Sequence, residues 1–425
     1  MIISLVAGLA ILSAAMIPLV SRWPGVPAQP RSRPRSGGLG KFLPIGCMLF
    51  NLIAAHAAAA ETAAPHKGVR DFAAYWASAQ LLLSGHNPYS PVDLLELQRK
   101  LGWRDDAPLV MWNPPWTFAI TLPFGLLDFV TGQFLWLLLH VLLLLISSRL
   151  LWTIYGEPAD RHRWAWLLTV TFVPTIFVLV IGQIAPLVLI GLTGFLYFER
   201  QIKKVAAGAV LALMFVKPHF VYLFWMVLLL WVFERRQWTL LASAALVGFA
   251  AAALPLMFNS SVYDQFIELY RVAPVKLPLD LPSPTWRNVA KLLLQLDIGS
   301  WQMLPSLVGV VWAFFYWQRH RADWEWSDRL PLVLMVSVVT SAYTWTFDQV
   351  VFLPALIQGA SWLVRQRLPW YRSIAALLYI FINLAHVILR FFVAEELWYF
   401  WLAPALLIAY LVYRWEAAGK RLTSG

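Results

Sequence analysis

The chain is short of charge and almost without cysteine. Of its 425 residues, 13% are Asp, Glu, Lys or Arg and 60% are hydrophobic, where a soluble domain carries about a quarter charged residues. This balance excludes a water-soluble domain, which would lack the polar surface to cover itself. The single cysteine, Cys47, excludes an intrachain disulfide and any paired-thiol redox or metal motif. No HExxH, G-x-x-x-x-G-K-[ST] or G-x-G-x-x-G occurs, so zinc proteolysis and nucleotide-driven transport have no support, and no hydrolase motif is recognisable.

What is present in quantity is long apolar runs, each able to cross a hydrocarbon core about 30 Å thick as a helix. Breaks between them predict thirteen spans, at 2–21, 42–60, 132–152, 164–181, 184–198, 204–216, 219–233, 238–258, 299–317, 328–345, 349–364, 371–391 and 397–414. The fold class expected is therefore all-α, a polytopic integral membrane helical bundle. Its parts are an N-terminal span with a Pro/Arg-rich linker (1–41), one membrane domain (42–414) and a short tail (415–425).

The net charge of +11 would suit a nucleic-acid partner in a soluble protein. Alternating the spans instead gathers 22 Lys and Arg against 8 Asp and Glu on one side, leaving 11 against 14 on the other. The basic side is the cytoplasm by the positive-inside rule, so no nucleic acid is expected and the C-terminus is cytoplasmic. Two extracytoplasmic loops, 61–128 and 259–295, exceed simple turns, and long loops in compact proteins are commonly functional.

Candidate chemistry collects on that outer side. The stretch from Asp71 to Tyr89 reads as an amphipathic helix with Phe72, Trp76, Ala79 and Leu83 at helical spacing, lying along the outer leaflet. Gly85 and Pro88 stop it. Asp71 stands where a carboxylate caps free N–H groups, so by itself it reads as an N-cap at least as well as a base. Trp112-Asn113-Pro114-Pro115-Trp116 opens a run to Leu127 too short to span, a half-buried helix with proline in its first turn.

Further breaks fall on the same face: Gly182-Gln183, Lys217-Pro218-His219, the loop around Arg287, and Tyr343 to Gln349. Ionisable residues near membrane depth are costly and mark functional sites. Lys217 is an anion-binding candidate or a snorkelling lysine, with Arg287 a weaker candidate of the same kind. His86 and His219 are hydrogen-bond donors, a proton shuttle, or structural. Asp105-Asp106 has an exposed loop as its plain reading, and Asp348 is either catalytic or a cap for the following helix.

Taken in order, Asp71-Phe-x-x-Tyr75-Trp76, Leu82-Leu83-x-Gly85-x-Asn87-Pro88-Tyr89 and Asn113-Pro114-Pro115 resemble the polyprenol-phosphate-mannose-dependent transferases of glycosyltransferase family 87, multi-spanning enzymes of the GT-C class. Gly182-Gln183, Lys217-Pro218 and Phe347-Asp348-Gln349 are similar to family landmarks in order and spacing. The resemblance runs from about Ala60 to Val364 and leaves the first span as an addition.

It implies transfer of a sugar, mannose first among candidates, from a polyprenyl-phosphate donor to a hydroxyl of a lipid or glycan acceptor, with inversion. The matching catalytic carboxylate is Asp71. On this reading Lys217, Arg287 and His219 bind the donor phosphate, and Tyr75, Trp76, Asn87, Asn113, Gln183, Asp348 and Gln349 contact sugar or acceptor. No metal and no cofactor is expected. The implied setting is a bacterial inner membrane with the site on the extracytoplasmic face. A lipid or solute transporter shares the composition and is the alternative.

Overall fold

The computed structural model describes residues 70–156, 162–271, 278–294, 303–365 and 369–423. The first two expected spans, the Pro/Arg-rich linker and Cys47 lie outside them. The described residues form helices, with no strand among them. In chain order these are α1 (Arg70–Leu83), α2 (Pro91–Lys100), α3 (Phe118–Gly125), α4 (Phe129–Tyr155), α5 (Arg163–Thr171), α6 (Val173–Ile181), α7 (Ala185–Arg200), α8 (Lys204–Leu211), α9 (Tyr222–Arg235), α10 (Trp238–Ala253), α11 (Val262–Leu269), α12 (Trp286–Leu294), α13 (Leu304–His320), α14 (Trp326–Thr340), α15 (Leu353–Arg365), α16 (Pro369–Phe392) and α17 (Leu402–Thr423).

The expected apolar runs are helical, but fewer of them are long enough to span than strict alternation assumed. Among the described residues, four helices have the length and hydropathy to cross a bilayer: Phe129–Tyr155, Trp238–Met257, Ser373–Phe392 and Glu396–Trp415. A fifth arises if α5 and α6 count as one span bent by 65°. The bend falls at Phe172, whose backbone is extended, just ahead of Pro174 in the first turn of α6. A residue two before that proline ends one helix and the proline starts the next, its missing N–H costing nothing in a first turn. The other helices of the bundle have 8 to 17 residues; at 1.5 Å per residue they are shorter than the hydrocarbon core. Apolarity in these marks burial against other helices as much as contact with lipid.

The exposed apolar surface is concentrated on a few elements. Leu246 and Phe249 of α10, Leu307 and Phe315 of α13, and Leu377 and Phe381 of α16 are more than half exposed, a pattern suited to a lipid surround. Helix α1 is different. Phe72, Ala74, Tyr75, Ala77, Ser78, Ala79, Leu81 and Leu82 are all buried, against α2, α3 and α4. It is a core element, and Trp76 sits on its one half-buried stripe with its indole N–H donated to Leu127 O at 3.0 Å. Sequence spacing placed Trp76 with Phe72 and Ala79, whereas the face most deeply buried combines Phe72, Tyr75, Ala79 and Leu82.

Small residues permit a close helix approach between α8 and α10. A Cβ on Gly208 would stand 2.2 Å from Leu240 O, a backbone atom that cannot step aside. Gly208→Ala is expected to destabilise the protein by about 2 kcal/mol, within the range for overpacking, read as a lowered melting temperature in detergent. Gly194→Ala is the control, because its Cβ would meet only the Val210 side chain, at 3.2 Å, and its effect is expected to be smaller.

Candidate active site

Three helix breaks and the first turn of α1 converge. Helix α6 ends in Gly182, whose φ of 75° is the left-handed conformation glycine adopts without strain. Gly182 N–H donates to Leu179 O and Gln183 N–H to Val178 O, the paired bonds of a Schellman ending. Pro186 then opens α7. The Gly182 carbonyl, released from the helix, accepts the Trp136 indole N–H at 2.9 Å. This leaves the Gln183 side chain held between two helix ends.

Lys217 stands at a second break. A 3-10 turn over Ala212–Val216 finishes the helix begun by α8, Lys217 leaves the helical conformation with φ −154° and ψ 68°, and Pro218 stops continuation. The carbonyls orphaned there have dedicated partners: Phe215 O accepts from Trp116 Nε1 and Val216 O from Asn113 Nδ2, both at 2.8 Å. That accounts for the Asn113-Pro114-Pro115-Trp116 motif. Its prolines form a 3-10 turn, Pro115–Thr117, and its two outer side chains satisfy the helix end that carries Lys217.

Asp348 lies in the third break, a 3-10 segment over Thr346–Phe352 that leads into α15. One carboxylate oxygen accepts from Trp345 N–H at 2.9 Å, a bond back to the start of the 3-10 turn that contains Asp348 and not a cap on α15. The other accepts from Lys217 Nζ at 2.6 Å. The Lys217 side chain is 8% exposed and that of Asp348 is sealed, making this a largely desolvated ion pair. Lys217 also lies over the Phe347 ring, 4.9 Å from its centroid.

Gln183 joins the parts. Its Nε2 donates to Asp71 Oδ2, and its Oε1 accepts from Tyr75 OH at 3.1 Å, from Ile184 N–H at 2.9 Å and from Lys217 Nζ at 3.5 Å. Turning the amide over would set its carbonyl against a carboxylate and its NH₂ against three donors, so the network fixes the orientation. Burial, and then the Asp71 carboxylate, push the Tyr75 hydroxyl well above the usual phenol range. Tyr75 is therefore a neutral donor to Gln183. The arrangement runs Asp71, Gln183, Lys217, Asp348, carboxylate to ammonium through one amide.

The remaining candidates are placed as follows. Trp76 and Asn113 bond to backbone carbonyls as described, and Asn87 Oδ1 accepts from Tyr89 N–H at 2.9 Å, closing the turn after α1. His219 is exposed and its ring lies 5.3 Å from that of Tyr343. Gln349 is buried with its Oε1 unpartnered. Arg287 is buried and bonds within its own loop, to Leu279 O and to Asn288 Oδ1. The two long loops are tied together where Asn259 Nδ2 donates to His86 O at 3.1 Å. Sequence reading took Trp116 only as part of a helix-start motif and missed Trp136; these two indoles bond to the carbonyls at the two helix ends. Trp136 sits in apolar sequence with nothing to distinguish its indole N–H from that of an interfacial tryptophan.

A cavity of about 130 Å³ lies elsewhere, between α4, α5, α15, α16 and α17, lined by apolar side chains including Leu168, Ala376 and Ile382. None of the four network residues lines it. Ionisable groups held at helix ends are the better marker of a functional site.

Comparison with protein-family models gives a match to glycosyltransferase family 87 over residues 112–341. No curated protein and no solved structure matches the chain. The matched segment contains Asn113, Gln183, Lys217, His219 and Arg287, while Asp71, Tyr75, Trp76, Asn87, Asp348 and Gln349 flank it. A glycosyltransferase family replaces the transporter that composition alone also allowed. With the match covering more than half of its length, this multi-helical membrane protein belongs to glycosyltransferase family 87.

Proposed function

We propose that the protein transfers a sugar, mannose first among candidates, from a polyprenyl-phosphate donor to a hydroxyl of a lipid or glycan acceptor at the extracytoplasmic face of a bacterial inner membrane, with inversion. The observation that carries this reading is the Asp71–Gln183–Lys217 connection. It sets a half-buried carboxylate, suited to taking a proton, beside a buried ammonium suited to a leaving phosphate.

In the proposed step the acceptor oxygen attacks the anomeric carbon and gives its proton to Asp71. The bond from that carbon to the phosphate oxygen breaks, and the electron pair leaves with the lipid phosphate. Charge grows on the phosphate in the transition state, where a fixed cation already stripped of water stabilises it most. Lys217 has three N–H donors; Asp348 and Gln183 take two, and the third remains for a phosphate oxygen. Gln183 keeps base and cation in register, since its amide is bonded to both. Arg287 and His219 complete the phosphate site, and Tyr75, Trp76, Asn87, Asn113 and Gln349 hold sugar and acceptor directly or by fixing the backbone around them.

The test is transfer by the purified full chain from a short-chain polyprenyl-phosphate mannose to extracted membrane lipids and glycans, followed by mass spectrometry of the product. A hexose added to a lipid or glycan is the expected result. A nucleotide-sugar donor that supports transfer where the polyprenyl-phosphate donor does not would overturn it.

A further inference from the structure

Helix α16 carries an arginine near the end of a long apolar run, and Arg390 is not part of the network described above. Its guanidinium lies 3.9 Å from the centroid of the Tyr399 ring and 4.7 Å from that of Phe177. Arg390 Nη2 donates to Glu396 Oε1 and, at 3.5 Å, to Thr346 Oγ1. The Thr346 hydroxyl in turn donates to Glu396 Oε2. The Arg390 and Glu396 side chains are 15% and 17% exposed, and Thr346 is sealed. One turn before Arg390, the buried His386 ring stacks on Phe177 at 5.3 Å.

This cluster touches the site from behind at two points. Thr346 opens the 3-10 segment in which Asp348 takes the Lys217 ammonium. Phe177 belongs to α6, the helix that ends at Gly182 and Gln183. Arg390, Glu396 and Tyr399 all come from the last part of the chain, beyond the segment matched by the family model. A desolvated arginine–glutamate pair gives little net stability over apolar residues of similar volume, because its desolvation offsets its attraction. Its use is to fix geometry.

We propose that Arg390 and Glu396 are positioning residues, whose ion pair, closed through the Thr346 hydroxyl, sets where residues 346–352 hold Asp348 and so where Lys217 stands. The consequence for transfer rests on the function proposed above; the placement of the segment does not.

The test compares the wild-type chain with Arg390→Met/Glu396→Leu, which removes both charges together, and with Thr346→Val, which removes only the bridging hydroxyl and guards against a misfolded double variant. With melting temperature retained, the double variant is expected to lose roughly tenfold to a hundredfold in kcat, as displaced catalytic groups do, with KM for the donor little changed. Adding Asp348→Asn to it is expected to cost much less than the same change in wild type, since coupled residues are not additive. Backbone hydrogen exchange is expected to rise over 346–352 in both variants and to stay unchanged in α4. Unchanged exchange over 346–352, or additive losses, would overturn the proposal. If wild type transfers nothing from the polyprenyl-phosphate donor, the proposed function fails, and exchange alone then decides the role of Arg390 and Glu396.

Discussion

Asp71→Asn is expected to remove transfer while leaving the fold intact. Asparagine has the shape of aspartate, and its Oδ1 still accepts from Gln183 Nε2, the bond that ties the first turn of α1 to the break after α6. What it lacks is basicity, so an acceptor hydroxyl has nowhere to place its proton. Loss of a positioned general base lowers the rate roughly 10²- to 10⁴-fold, and the loss is expected in kcat. The measurement is kcat and KM for the polyprenyl-phosphate donor, beside the melting temperature of the same preparation. A variant that melts like wild type and transfers at the wild-type rate would remove Asp71 from the chemistry.

Lys217→Met is expected to have two large effects that can be separated. The first is on stability. Asp348 would keep its bond from Trp345 N–H but lose the only cation bonded to it among the described residues, and a buried carboxylate left without its partner costs about 3–5 kcal/mol. The second is on transfer, through loss of the fixed cation at the leaving phosphate, about 10²- to 10³-fold by analogy with removal of one preorganised donor. Lys217→Met/Asp348→Leu divides them. Replacing both charges by apolar side chains restores stability, so the double variant is expected to recover its melting temperature and remain inactive. Recovery of transfer in that variant would assign Lys217 a structural role alone.

Asp71 was reached through the family resemblance, whereas other site residues were visible as polar or ionisable residues interrupting an apolar run. Gln183, Lys217 and Asp348 all qualify, and so does Arg390, which ends the run from 371 to 391 and had the same claim on attention. Asn113 was legible as a motif with proline and tryptophan, yet its partner, the Val216 carbonyl 103 residues away, was not. Spacing along α1 separated apolar from polar positions but could not foresee that both sides of the helix would be covered.

Composition and the run of hydropathy determined by themselves that this chain is a helical membrane protein, because a backbone in hydrocarbon must satisfy its own hydrogen bonds. They also placed the break residues, since glycine and proline act on the backbone locally. How many runs are long enough to span was a tertiary matter: a 14-residue apolar helix such as α9 is equally at home buried among its neighbours. Tertiary structure alone decided that Gln183 stands between Asp71 and Lys217, and that Asp348 neutralises Lys217. Those contacts join residues 34 to 131 positions apart, and only the packing of helix ends against one another brings such residues within hydrogen-bonding distance.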